Sequence, residues 1–436
     1  MKYLTHVVRY VPQLEEWYCV TSLTVDEHGH SHFSPGWFVV TMGTGGISML
    51  FHNFLYAYDS KPMEVFSTIF FFLNLFLFVL FNILFIARLI MWHDILPLML
   101  YHPVHNLYFG SYPMGLATLI IVATSVLNTE WGWGGKPFLW FIWAVWWYDV
   151  AMGFICGFVL IHLMITRQHH TLSAANSLWA LPAVALIVVA SAGGVVATPL
   201  LAVDPWRAGL TIMMSAFLLI VGLMIGFMFF TLYFLRLILY GLPQGVNVLS
   251  GWITLGIAGQ GGYAVLVLGN AFKQWIPVQY GSSSFMRSDT TGTTLDAICV
   301  YVGLMLWAIT TMWFFYNLLA MQEAIRQGGF PFSLPWWELI FPNVVYANCT
   351  IELAVVFDST FFRVWGAIYA AATLLLWIVV FSLTIPNVIS GRIFDMPDIE
   401  QVDIASKRAR ESQDIERGEQ WEQHALERGG SEGNAS

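Results

Sequence analysis

The sequence predicts an all-α membrane protein whose ten transmembrane helices form five hairpins, and three observations carry that expectation. Of the 436 residues, 58% are hydrophobic and 10% charged, against roughly 45–50% and about 25% in soluble domains. Ten apolar runs reach the roughly 20 residues that cross a bilayer. Every second run closes on a lone arginine, at Arg88, Arg167, Arg236, Arg326 and Arg392. A cation there suits both a helix C-terminus and the cytoplasmic rim.

In chain order the runs fall at 36–56, 65–92, 107–127, 138–166, 178–203, 208–240, 248–272, 294–322, 334–357 and 362–389. The second, FSTIFFFLNLFLFVLFNILFI, is almost all Phe, Leu and Ile, and the sixth and tenth are similar. Large apolar side chains all round suit lipid contact. The odd runs instead carry Gly and Pro: Gly43, Gly45 and Gly46 in the first, Pro113 and Gly115 in the third, Pro182, Gly193, Gly194 and Pro199 in the fifth. The seventh holds Gly251, Gly256, Gly259, Gly261, Gly262 and Gly269, and the ninth Pro342. An interior Gly costs a helix about 1 kcal/mol and a Pro about 3, so recurrence in the same five members has a reason. One reading is close helix packing through small residues. The other is helices broken at midplane around a solvated lumen, where irregular backbone is tolerated. Recurrence in all five odd runs favours the lumen for the set, and Gly43, Gly45, Gly115, Gly194, Gly261, Gly262 and Pro342 are its expected lining.

Three segments follow: a cytoplasmic N-terminal stretch at 1–34, the ten-helix body at 35–390, and a charged, largely disordered cytoplasmic tail at 391–436. From Asp395 onward the tail supplies 11 acidic and 5 basic residues, hence -6 of the formal charge of -9, which leaves the body nearly neutral. The loops do not orient the chain. Lys2 and Arg9 in front, with Lys407, Arg408, Arg410, Arg417 and Arg428 behind, place both termini in the cytoplasm. The stretch ESQDIERGEQWEQHALERG has helical bias within an otherwise disordered composition. The N-terminus lacks the apolar core of a signal peptide, so insertion relies on the first span. Cys19, Cys156, Cys299 and Cys349 lie far apart with no CxxC or Cys/His spacing, which indicates neither a disulfide scaffold nor a zinc site.

The first, third, fifth and seventh runs hold no Asp, Glu, Lys or Arg in their cores, and the ninth holds Glu338 at its mouth and Glu352 towards its far end. A cation pathway wants rings of Asp or Glu. A neutral lumen of Gly, Ser, Thr and aromatic residues favours small anions.

Several segments resemble the tellurite-resistance/dicarboxylate transporter family over about residues 34–390. FSPGWFVVTMGTGGISML (33–50) is similar to the family's first span. FGSYPMGLATLI (109–120), VWWYDVAM (145–152) and GQGGYAVLVLG (259–269) resemble the fungal sulfite efflux pumps. WWELIFPNVVYANCTIE (336–352) and the Trp-Ala-Leu-Pro run at 179–182 resemble the malic acid transport proteins. The resemblance implies five hairpins in quasi-fivefold arrangement, odd helices around a central pore, a homotrimer in the plasma membrane, and an aromatic blocking each pore at midplane. By motif that gate is Phe341, whose alternative is an ordinary packed Phe.

Sulfite efflux leads because its matching segments include the Gly-rich seventh run; C4-dicarboxylate (malate) transport and a channel-like inorganic anion conductance are the alternatives. No cofactor, metal or nucleic acid is called for, and the expected partners are a small anion and the lipid bilayer. Asp149 would cost about 2.5–3.5 kcal/mol at the bilayer centre, so it has a structural partner or couples protons; Glu352 carries the same two readings. The sequon at Asn348–Thr350 falls inside a span, where glycosylation does not occur. His28, His30 and His32 precede the first span and read as solvated. The competing class is a di-iron intramembrane enzyme. His93, His102, His105, His169 and His170 gather on one side, but HPVH and HH lack the repeated clusters such a site needs.

Overall fold

The computed structural model describes residues 33–57, 60–92, 95–390 and 393. The HxHxH stretch, Cys19, His93, Arg392, the first 32 residues and the tail beyond 393 lie outside the described residues. The chain divides into two units, Phe33–Pro386 and the terminal stretches Met1–His32 and Asn387–Ser436.

Every element among the described residues is helical. The long helices are α1 (Phe38–His52), α2 (Lys61–Met91), α3 (Ser111–Val122), α4 (Gly135–Phe154) and α5 (Leu181–Leu201). They continue with α6 (Pro205–Tyr240), α7 (Ile253–Trp275), α8 (Asp289–Arg326), α9 (Ile340–Phe357) and α10 (Thr360–Ile389). π-helical turns lengthen α3 to Glu130 and link α4 to a last segment ending at Arg167. Nine of these spans are long and apolar enough to cross a membrane. The exception, α1, has 15 residues behind the 3-10 turn Pro35–Trp37, about 28 Å of rise together, close to the hydrocarbon thickness.

The helix ends follow their local chemistry. Pro62 and Pro205 occupy the first turns of α2 and α6, where a missing N–H is harmless. Asp204 caps α6 by accepting from the Arg207 N–H at 3.1 Å, and Gly241 stops it at φ 74°, a left-handed conformation that needs no Cβ.

Odd and even helices separate by environment. Between 83% and 94% of the apolar window is buried in the spans of α3, α5, α7 and α9, but between 22% and 39% in those of α2, α4, α6, α8 and α10. The five inner helices touch in sequence, α1 to α3 to α5 to α7 to α9, and α9 returns to α1, so they close a ring. Indole N–H groups bind the outer helices to it: Trp146 donates to the Val189 carbonyl at 3.0 Å, Trp307 to Thr350 at 2.9 Å and Trp377 to Thr44 at 3.3 Å.

The inner helices are not broken at midplane. The α-helices run unbroken through Gly193, Gly194 and Pro199 in α5 and through Gly256–Gly269 in α7. Apart from the π-helical turns that end α3, irregular backbone lies where the inner helices start. Short turns at Pro35–Trp37, His105–Tyr108, Ser177–Ala180, Gly245–Trp252 and Leu334–Leu339 precede α1, α3, α5, α7 and α9. Pro342 falls in the first turn of α9, where it breaks nothing.

The glycines do another job: one sits at each seam of the ring. A Cβ at Gly45 would lie 2.0 Å from Thr118 Oγ1, and one at Gly115 2.4 Å from Thr41 Oγ1, across α1 and α3. Gly110 meets the Leu181 carbonyl at 2.9 Å, Gly194 meets Val267 at 2.9 Å, Gly262 meets Cys349 Sγ at 2.6 Å, and Gly43 and Gly46 face Ile340 and Val344 at 3.1 and 3.0 Å. Small residues let membrane helices approach this closely.

Candidate functional site

A small cavity inside the ring takes side chains from all five inner spans. Val39 and Met42 come from α1, Met114 from α3, Leu181 and Val184 from α5, and Ile253 and Gly256 from α7. Glu338, Phe341 and Pro342 complete it from the ninth span. Its volume is about 10 Å³, room for about one water. The lumen is therefore shut at this level, and Phe341, 2% exposed, is its bulkiest lining residue.

This level is not the middle of the path. Val39 and Phe341 are second in their helices, and Leu181 and Ile253 are first. The constriction thus lies just past the 3-10 turns, towards the end of the ring from which the inner helices start.

Glu338 is the ionisable lining residue. It belongs to the 3-10 turn Leu334–Leu339, is 3% exposed, and accepts a hydrogen bond from the Tyr108 phenol. The turn is anchored by Trp337, whose indole donates to Thr384 at 2.9 Å. Asn343 in the next turn donates to the Leu339 carbonyl at 2.6 Å and accepts from the Tyr369 phenol. The sequence places Glu338 merely at the mouth of its span. Its spacing of three from Phe341 is the signal that joins them, because i and i+3 share a helix face.

Of the expected lining, Pro342 borders the cavity and none of the glycines does; Gly256, outside that expected set, is the glycine that lines it. The seam glycines Gly43, Gly45, Gly115, Gly194 and Gly262 point at neighbouring inner helices, and Gly261 points outward at Leu223. At Gly256 an added Cβ would find Pro342 Cγ at 3.9 Å and nothing nearer.

A second polar group gathers at the opposite end of the ring. His52 of α1 pairs with Glu130 at 3.1 Å, and Asn53 donates to Asn348 of α9 at 2.8 Å. Glu352 lies within electrostatic reach of His52, and of Tyr263 on α7. The sequon asparagine, Asn348, is fully buried. Asp149 lies off the cavity, fully buried on α4, with neither carboxyl oxygen hydrogen-bonded. Its helical neighbours Trp146 and Gly153 pack on α5, and Tyr112 and Cys156 are its electrostatic neighbours.

The histidines have local roles. His102 Nδ1 accepts the backbone N–H groups of Val104 and His105 at 3.1 and 3.2 Å, and His170 contacts Gln168 at 2.9 Å. Among the described residues no three His, Cys, Asp or Glu side chains cluster as metal ligands would.

Comparison with known proteins identifies the family. The model of the voltage-dependent anion channel family matches residues 32–385. A sulfite efflux pump of Arthroderma benhamiae is 30% identical over 357 residues, covering 81% of this chain and 90% of the pump. The malic acid transport protein of Schizosaccharomyces pombe is 22% identical, covering 81% and 78%. An uncharacterized transporter of Methanocaldococcus jannaschii is 23% identical, covering 83% and 97%. The chain therefore belongs to the voltage-dependent anion channel family, the group that also holds the tellurite-resistance and dicarboxylate transporters.

Proposed function

We propose that this protein exports small anions across the plasma membrane, with sulfite as the leading substrate, through the lumen of its inner ring. The observation that carries the reading is a cavity to which all five inner spans contribute, closed by Phe341. The greater identity to sulfite efflux pumps than to the malic acid transport protein favours sulfite. Malate is the second reading, supported by that more distant relative.

In this mechanism Phe341 is the gate. Its ring leaves room for about one water, so an anion passes when the ring swings aside, and dewetting reinforces the steric block. The lipid-exposed faces of the even helices meet bilayer and neighbouring subunits of a homotrimer, each with its own path, and both termini lie in the cytoplasm. The test is flux of sulfite, malate and chloride in proteoliposomes. Phe341→Ala removes the plug, so flux rises at near-normal expression. Unchanged or lower flux together with the roughly 3–5 kcal/mol stability loss of a core Phe→Ala change would make Phe341 a core residue and place the gate elsewhere.

A further inference from the structure

The constriction at the start of the ring carries a carboxyl group. Glu338 lines the cavity one turn before Phe341, and the Tyr108 phenol reaches across from the third span to donate to it. The lining that α1, α3, α5 and α7 contribute is apolar or glycine. Of the elements packed on its turn, Gly245–Trp252 holds no ionisable side chain. Of the titratable residues of α1 and α9, His52 and Glu352 lie at the far end of the ring, Glu352 being about 21 Å along the helix at 1.5 Å per residue, while Tyr346 meets Thr311 and Trp365 of the outer helices and Cys349 faces Gly262; His105, on the turn of Tyr108, faces His102 and Arg88. On α10, reached through Trp337, Arg363 stands near the opposite terminus from Thr384 and pairs with Asp358. Tyr108 is thus the titratable group that faces Glu338.

An anion squeezed through a space of about 10 Å³ passes within contact distance of this carboxyl group. Two like unit charges about 4 Å apart at the effective dielectric of protein sites repel enough to lower occupancy by roughly two to three orders of magnitude. A permanent carboxylate here and an anion path are incompatible; a proton on the carboxyl removes the conflict.

We propose that Glu338 is the charge selector of the pore: it admits an anion while it carries a proton and excludes the anion as a carboxylate. The proton comes from water at one mouth and returns to water, so nothing else is consumed. The residual carboxylate fraction repels a doubly charged ion more than a singly charged one, which favours singly charged small oxyanions, such as hydrogensulfite, as the substrate class. Tyr108 positions the carboxyl and, by donating to its charged form, sets the pH at which the path closes. This inference rests on the ring being the anion path.

The experiment measures chloride flux, because the charge of chloride does not change with pH, beside sulfite flux in proteoliposomes between about pH 5 and about pH 8.5. For a single titrating site, wild-type flux falls roughly tenfold per pH unit above its midpoint. Glu338→Gln gives a flat chloride profile at least tenfold above wild type at the alkaline end. Tyr108→Phe keeps the carboxyl but loses its donor, and moves the midpoint to higher pH. Asp149→Asn, whose carboxyl lies off the cavity, keeps the wild-type slope. A wild-type slope in Glu338→Gln overturns the proposal, as does a pH-independent wild type. If the Gln variant does not fold, a Tyr108→Phe profile superimposable on wild type overturns it. Phe341→Ala separates the two readings: raised flux there with an unaltered slope in Glu338→Gln sinks the selector alone, whereas unraised flux sinks the gate at Phe341 and with it the passage of anions beside Glu338.

Discussion

Gly256 gives the most discriminating substitution, because stability and transport should move in opposite directions. Alanine adds one methyl group whose nearest neighbour is Pro342 Cγ at 3.9 Å, an ordinary contact without strain. Replacing an interior helical glycine by alanine stabilises by about 1 kcal/mol, so the melting temperature in detergent rises. The same methyl enters a cavity of about 10 Å³, where an anion must already push side chains apart. Overpacking typically costs about 1–3 kcal/mol; added to the barrier for passage, this slows flux by about 5- to 160-fold at 1.36 kcal/mol per decade. The assays are a thermal-shift measurement and sulfite efflux from proteoliposomes containing equal amounts of each protein. A more stable variant with unchanged efflux would mean that the path does not pass Gly256. A less stable variant would refute the open space described beside it.

At Gly45 the same chemical change has the reverse consequence for stability. The new Cβ would sit 2.0 Å from Thr118 Oγ1 and 2.4 Å from Asn74 Nδ2, disturbing the Asn74–Thr118 hydrogen bond of 3.2 Å. Overpacking of about 1–3 kcal/mol offsets the helix gain, so Gly45→Ala lowers the melting temperature, and a rise would dissolve the seam. Outside the membrane, burial and the neighbouring His169 hold the His170 imidazole below its ordinary range. Its neutral form is favoured in the fold, so its contribution is fully present above about pH 6.5 and is lost as pH falls through the folded-state value. Melting temperature measured from about pH 8 to about pH 5 should therefore drop less in His170→Gln than in wild type; parallel curves would assign the acid sensitivity to another group.

Much of the architecture is legible in one sequence because lipid forces a simple pattern. The Phe, Leu and Ile of the second run and the Gly and Pro of the odd runs mark outside and inside, and the ninth span is bounded at Leu334 and Phe357 where hydropathy places it. What the glycines do is less legible. Sequence shows that Gly115 and Gly194 lack side chains but not which way the missing Cβ would point, and in the fold it points at Thr41 and Val267 rather than into space. Gly256, which does open onto the lumen, has the same one-letter appearance as its neighbours. Glu338 escapes for a related reason. Hydropathy places it at a span boundary, whereas the 3-10 turn Leu334–Leu339 rotates it to the face of Phe341. Tyr108 sits 230 residues away, and local periodicity carries no information about such a pair.

The inner helices all begin at the constricted end, and α1 finishes at the other with His52, which pairs with Glu130 and lies within electrostatic reach of Glu352. Their peptide dipoles are consequently parallel, each contributing about half a positive charge at its start and half a negative charge at its finish. Five such staves make the path electrically polar before any side chain is counted: attractive to an anion at the mouth behind Phe341 and repulsive at the other. An ion that has crossed the narrow level travels towards the negative ends of the helices, so the field resists its progress and its concentration gradient must drive it across. The backbone alone thereby makes the two mouths inequivalent to an anion, while the gradient sets the direction of net travel.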